Sequence, residues 1–339
     1  MRIPVIVLSG FLGSGKTTLL LRLLQESRAR GLKPGVIMNE LGSRDVDGHI
    51  LSQFSDTSIE KMLDGCVCCS RKSELAGSIA ALVKQQPDFI VIELTGVANP
   101  EEIADALTEP SILGQVSMKQ IVTVLDSEHV LLYNSIFEAD LALVRTLRRQ
   151  IETADLLIVN KTDLVTETKL NKIDKAIRKQ NDKAGIIHTT FSGVDLDLML
   201  SGVKKRAGQE PAIVPISRPF RMTTAVPKSS LTSENQTKND AHESPSFTRV
   251  QTMTLTISSH PLPSRKQIDR LLSKFKHALL RAKGYIRLNE HTQQAALMQH
   301  AGGRTSWSPS EYTGEPYMVF IGIDLDEQAI RAEWERRVV

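Results

Sequence analysis

Eight residues near the start, Gly10-Phe11-Leu12-Gly13-Ser14-Gly15-Lys16-Thr17, constrain this chain more than any other stretch. An apolar run at residues 3–8 precedes them, and an apolar stretch at 18–24 that reads as a helix opening follows. Strand, Gly-rich turn and helix in that order make a phosphate-binding loop. The glycines let the backbone curl until its N–H groups and the helix N-terminus face an anion. This reading assigns Gly10, Gly13, Ser14, Gly15, Lys16, Thr17 and Thr18 to nucleotide contact, with Lys16 reaching the β and γ phosphates and the Thr17 hydroxyl on magnesium.

Further unbroken apolar runs at 35–38, 89–92, 121–125 and 156–159 suit strands buried on both faces, and helical stretches at 73–84 and 139–153 lie between them. The first 221 residues therefore read as an α/β P-loop domain with a mainly parallel sheet and flanking helices. Residues 222–248 turn to Ser, Thr, Asn, Lys and Pro with little that could pack, and are expected to form a linker or loop. Residues 249–339 are expected to be a smaller α+β domain. It would hold an alternating strand at 252–257, a helix at 264–282, a strand at 317–323 and a closing helix at 327–337.

Two domains suit a chain of 339 residues. With 41% hydrophobic and 24% charged residues the composition is that of a globular protein, and no apolar stretch is long enough for a membrane span. The apolar start is broken by Pro4, Gly10, Gly13 and Lys16 with no small-residue cleavage site, so a cytoplasmic protein without membrane contact is expected. The aromatic share of 4% and net charge of +3 offer no stacking platform and no polycationic face, so no nucleic-acid partner is expected.

A second cluster, Asn160-Lys161-Thr162-Asp163, follows the run at 156–159 and names the base. A carboxylate can accept both N1–H and N2–H of guanine, a donor pair that adenine lacks. Asp163 would select GTP, with Asn160 and Lys161 bracing the ring and the loops around it. Between the clusters, Glu93-Leu94-Thr95-Gly96 stands at a strand end, where an acidic residue and a glycine sense the γ-phosphate. Glu93 would place the attacking water or a water-bridged ion. Lys16 and Glu93 are thus the candidate catalytic residues, and turnover should be slow because neither an arginine finger nor a strong general base is evident.

All three cysteines, Cys66, Cys68 and Cys69, fall within four residues. An odd number so close together cannot form an internal disulfide framework, and soft thiolates favour zinc, copper(I) or iron–sulfur chemistry. Three thiolates leave a fourth zinc position to another donor, and an incomplete site on a loop can release its metal. Glu40 and Asp47 lie in the same interval, with Glu40 assigned to the transition metal and Asp47 to magnesium, although the two roles are exchangeable at this stage. The histidines form no ligand pair at helical spacing, and Arg145, Arg148 and Arg149 read as a solvated helix face.

The phosphate loop, Asn39-Glu40-Leu41-Gly42, Cys66-Val67-Cys68-Cys69, Glu93-Leu94-Thr95-Gly96 and Asn160-Lys161-Thr162-Asp163 together resemble the CobW-like family of GTPase metallochaperones, in that family's order. The resemblance continues through Val194-Asp195-Leu196-Asp197 and Arg281-Ala282-Lys283-Gly284. It implies a SIMIBI-type GTPase domain with a C-terminal domain, zinc or cobalt on the CxCC thiolates, and transfer to a client protein timed by GTP hydrolysis. Leu41 stands where the family often has Phe, Arg44-Asp45 replaces a Gly-containing stretch, and there is no His-rich segment. The identity of the client and homo-oligomer formation stay open. So do two rival readings: a signalling or assembly GTPase with a structural metal, and a thiol redox sensor on a GTPase scaffold.

Overall fold

The computed structural model describes residues 2–39, 58–62, 70–94, 96, 98–135, 139–206, 249–257, 261–289, 291–301 and 303–338. Glu40, Asp47, Cys66, Cys68, Cys69, Thr95 and the 222–248 stretch lie outside the described residues. Seven strands build the first sheet: β1 (Ile3–Ser9), β2 (Pro34–Asn39), β3 (Ser58–Met62), β4 (Phe89–Glu93), β5 (Val116–Asp126), β6 (Leu156–Asn160) and β7 (Gly185–His188). Their order is β3-β2-β4-β1-β5-β6-β7 and every neighbouring pair is parallel.

Alternation along β1 explains why its run is apolar throughout. Ile6 and Leu8 pack with Leu19, Leu20, Leu23 and Leu24 of helix Lys16–Ala29, whereas Val5 and Val7 pack on the other face with Ile79 and Leu82 of helix Ser70–Lys84. A strand buried on both faces has no polar side to show. Helices Leu141–Thr153 and Glu167–Arg178 cover β5 and β6 through Leu147, Ile151, Ile173 and Ile177.

The second sheet comprises β8 (Val250–Thr256), β9 (Leu279–Leu288), β10 (His291–Ala301), β11 (Arg304–Pro309) and β12 (Tyr317–Ile323), in the order β11-β10-β9-β12-β8, all antiparallel. Odd-numbered Tyr317, Val319 and Ile321 of β12 join the core of the first sheet. Even-numbered Met318 and Phe320 pack with helices Arg265–Lys274 and Glu327–Val338. Residues Met1–Lys205 and Ser246–Val339 accordingly belong to one compact unit. Among the described residues no helix is long and apolar enough to cross a membrane.

The helix expected over 264–282 is shorter than that. It starts at a capping box formed by Ser264 and Gln267 and stops at Lys274, after which Leu279 opens β9. Gly284 shows why strand wins. A Cβ there would lie 2.7 Å from the Tyr317 carbonyl oxygen, so the residue is used for close approach to β12 rather than as a helix terminator.

Asp155, just before β6, ties the sheets together by accepting hydrogen bonds from the Ile121 amide at 2.6 Å and from the Arg249 amide. Burial pushes its carboxyl up to about 6, although both amides and the Arg249 charge pull the other way. The folded state thus holds this proton more tightly than the unfolded chain. Its contribution is fully present below pH 4 and is lost as pH rises through about 6. Relative to an Asp155→Asn variant, wild-type stability in urea titrations should fall by about 2–3 kcal/mol between pH 4 and 7. A flat difference would contradict the burial argument.

Candidate nucleotide site

The phosphate loop connects β1 to helix Lys16–Ala29 in a backbone that side chains would obstruct. Gly10, Gly13 and Gly15 have φ of +129°, +75° and +111°. A Cβ on Gly10 would fall 2.1 Å from the Val124 carbonyl oxygen, and one on Gly15 would fall 2.4 Å from Asn160 Nδ2. Gly15 begins the helix without a side-chain cap, so the first helical N–H groups are left for a ligand rather than for a hydroxyl. Ser14 Oγ is buried with no hydrogen-bond partner among the described residues, which is a cost unless a ligand meets it.

Lys16, only 6% exposed, curls over the loop and donates from Nζ to the Gly10 and Phe11 carbonyls at 2.9 and 3.0 Å. Thr17 Oγ1 donates to Glu93 Oε1 at 2.9 Å, which brings together a hydroxyl and a carboxylate 76 residues apart in sequence. Glu93 is 7% exposed at the end of β4. Gly96 follows so near the loop that a Cβ on it would lie 2.6 Å from the Leu12 amide nitrogen. Thr18 is exposed in the first turn of the helix.

The Asn160-Lys161-Thr162-Asp163 segment joins the same place from β6. Asn160 Nδ2 donates to the Ser14 carbonyl at 2.8 Å and to Ser192 Oγ at 3.3 Å, while its Oδ1 accepts the Ser192 amide at 2.9 Å. Ser192 Oγ donates onward to the Gly15 carbonyl at 3.0 Å. Asn160 therefore spends its amide on fixing two loops. Ser192 is a residue that motif reading missed, because it follows β7 in a Thr-Phe-Ser-Gly stretch without a recognised pattern.

Lys161 takes a left-handed φ of +62° and pairs with Asp126 Oδ2 at 2.7 Å. Burial alone would raise the Asp126 carboxyl, but hydrogen bonds from Lys161, the Glu128 amide and His129 outweigh it and leave it below the usual carboxylate range. Asp163 is exposed in the short turn Thr162–Leu164, which is pinned by the Thr162 amide donating to the Thr189 carbonyl at 3.2 Å. A cleft of about 200 Å³ opens beside the loop between Phe11, Leu12, Gly13, Asp126, Tyr133 and Lys161.

The basic run reads differently in part. Arg145 and Arg148 are exposed, but Arg149 bridges Glu101 at 3.5 Å and Glu152 at 2.7 Å. Neighbouring Gln150 is fully buried.

An all-parallel sheet with a Gly-rich loop at the exit of its central strand and the Asn160-Lys161-Thr162-Asp163 segment at the exit of β6 gives the frame of a P-loop GTPase. The chain belongs to the CobW/HypB/UreG family: the nucleotide-binding domain of that family matches residues 4–188, and the cobalamin synthesis protein cobW C-terminal domain matches residues 252–338. Among its relatives, the zinc chaperone CobW of Sinorhizobium sp is 28% identical over 98% of this chain and 96% of its own length. The zinc-regulated GTPase metalloprotein activator 1 of Schizosaccharomyces pombe is 34% identical over 57% of this chain. The zinc chaperone YjiA of Escherichia coli is 31% identical over 59%. The matched stretches span 47% and 61% of those two relatives.

Proposed function

We propose that this GTPase is a metallochaperone that takes up zinc, with cobalt as a second cargo of suitable chemistry, on Cys66, Cys68 and Cys69 and releases it to a client protein under nucleotide control. One observation carries the reading. Every thiol of the chain lies within four residues of the sequence between the phosphate loop and Glu93, the interval that responds to the γ-phosphate in GTPases. The names of the relatives support zinc as the cargo. Asn39 and Met62 are register partners at the ends of neighbouring strands, Glu40 follows Asn39 directly, and Cys66 follows Met62 by four residues. That supports one donor set of three thiolates and a carboxylate.

For hydrolysis, Lys16 leaves its loop carbonyls for the β and γ phosphates and, with the loop amides, neutralises the charge that develops there. Thr17 and Glu93 form a hydroxyl–carboxylate pair suited to a hard cation. Magnesium would be held by Thr17, with Asp47 as a further ligand, and would supply charge neutralisation at the phosphates. Glu93 orients the attacking water, and Asp163 reads guanine.

Zinc affinity measured by dye competition should be tighter with a non-hydrolysable GTP analogue than with GDP, by at least about fivefold, and reciprocity requires zinc to tighten the analogue equally. Cys66→Ser, Cys68→Ser and Cys69→Ser together should abolish this difference. Equal zinc affinity in both nucleotide states would leave a GTPase with a structural or redox thiol cluster.

A further inference from the structure

The Arg281-Ala282-Lys283-Gly284 segment has no part in the nucleotide or metal readings above. It forms the middle of β9, where alternation turns Ala282 into the core beneath helix Arg265–Lys274 and sends Arg281 and Lys283 to the opposite face. There Arg281 donates from Nη1 to Asp105 and from Nη2 to Glu102, both at 3.2 Å, and Lys283 pairs with Glu109. The two cationic side chains are 16% and 10% exposed, so the pairs with Asp105 and Glu109 are screened less than surface ones, whereas Glu102 is half-exposed.

All three carboxylates stand on one short segment, helix Glu101–Ala106 and the turn after it, which follows Glu93 and Gly96 in the chain. Its apolar side, Ile103, Ala104 and Leu107, shares a core with Val319 and Ile321 of β12. The Tyr317 hydroxyl also donates to the Thr108 carbonyl at 3.5 Å. Segment and C-terminal sheet are therefore joined by apolar packing, ion pairs and a hydrogen bond.

The other end of the same stretch is held from helix Leu141–Thr153. Gln150, 0% exposed, donates from Nε2 to the Gly96 and Ala98 carbonyls, each at 3.2 Å. Gly96 stands close against the phosphate loop, where a Cβ on it would lie 2.6 Å from the Leu12 amide nitrogen. Its position is thus set by Gln150 on one side and by whatever anchors residues 101–109 on the other.

We propose that the C-terminal sheet is a positioning element of GTP hydrolysis: through Arg281 and Lys283 it anchors the segment that follows Gly96, and with Gln150 it sets where Gly96 stands against the phosphate loop. Arg281 and Lys283 touch no nucleotide. They act on the reaction by restricting Gly96, and by linkage a nucleotide that shifts Gly96 must load or relax their ion pairs.

The test uses the full chain and needs no transition metal, so its failure leaves the carrier reading standing, and the reverse also holds. Arg281→Met, which keeps the side-chain bulk, should lower kcat for GTP about 3- to 30-fold with KM within twofold of wild type. Arg281→Lys should recover most of the loss, and Gln150→Met should show the same kcat-only signature. Glu102→Gln removes one partner at a half-exposed site where folding is not at stake, and should lower kcat in the same direction. Hydrogen exchange of residues 279–288 should differ between GDP and a non-hydrolysable GTP analogue. A folded Arg281→Met and Glu102→Gln pair with lowered melting temperature but unchanged kcat, or exchange indifferent to nucleotide, would reduce these contacts to simple stabilisation and overturn the proposal.

Discussion

Lys16→Ala will reduce GTP turnover by at least about 100-fold, the scale on which loss of one preorganised charge donor acts in a transition state. The ammonium lies at 2.9 and 3.0 Å from the Gly10 and Phe11 carbonyls, an arrangement that holds the charge over the loop. Phosphate oxygens carry full charge and outbid neutral carbonyls for the same donor. Removing the ammonium leaves the loop amides, with the magnesium that Thr17 would hold, to meet the charge on the γ-phosphate. Some loss of fold stability is expected as well, because the freed Gly10 carbonyl is buried. Single-turnover hydrolysis with thermal melting as a control measures this directly, and near-normal turnover in a folded variant would sink the phosphate-loop assignment.

Asp163→Asn should weaken GTP by about 10²- to 10³-fold and turn preference toward xanthosine triphosphate. The carboxylate offers two acceptors to N1–H and N2–H of guanine, and bonds to a charged acceptor contribute roughly 1.5–3 kcal/mol each. Asn replaces one acceptor with a donor, which faces the guanine amine badly but suits the C2 carbonyl that xanthine carries there. The side chain is exposed and its turn is held by Thr162, Thr189 and Lys161, so the substitution changes recognition rather than folding. Fluorescent-nucleotide titration with both bases reads the switch. Unaltered GTP affinity would mean that another group reads the base.

Which elements could be read in the sequence follows from where each is buried. β1, β2, β4, β6 and the 121–125 part of β5 are largely apolar runs because both faces are covered, and such runs announce themselves, whereas residues 116–120 of β5, with Lys119 and Gln120, do not. β3, Ser-Ile-Glu-Lys-Met, and β7, Gly-Ile-Ile-His, are the two edges of the same sheet and carry no such run. Position in the sheet, which no local pattern encodes, makes them strands. The C-terminal sheet is legible only at β8, which alternates, and at β12, which is apolar. β9, with Arg281, Lys283 and Arg287 among its residues, owes its strand form to pairing with β10 and β12.

The site divides in a similar way. Gly10, Gly13, Gly15, Lys16, Thr17, Glu93 and Asn160 stood out because phosphate chemistry demands those residue types at those intervals. Ser192 and Gln150 did not, since each works by hydrogen-bonding backbone carbonyls, a task that many polar residues can do and that depends on loops meeting in space. Gln150 carried one faint signal, an uncharged residue at a core-facing position of helix Leu141–Thr153 beside three arginines.

The shared core has a consequence for how the chain comes into being. The ribosome delivers β1 before the C-terminal sheet, yet the layer holding Val5, Val7, Ile90 and Ile92 also includes Val250, Tyr317, Val319 and Ile321. While synthesis proceeds, that layer waits for residues made more than two hundred codons later, and a nascent chain stalled or cut before Ile321 leaves oily surface in water. Exposed surface of this kind draws holdase chaperones and promotes clumping. The amount of active GTPase in a cell should therefore be governed by translation through Ile321 as much as by any property of the nucleotide site.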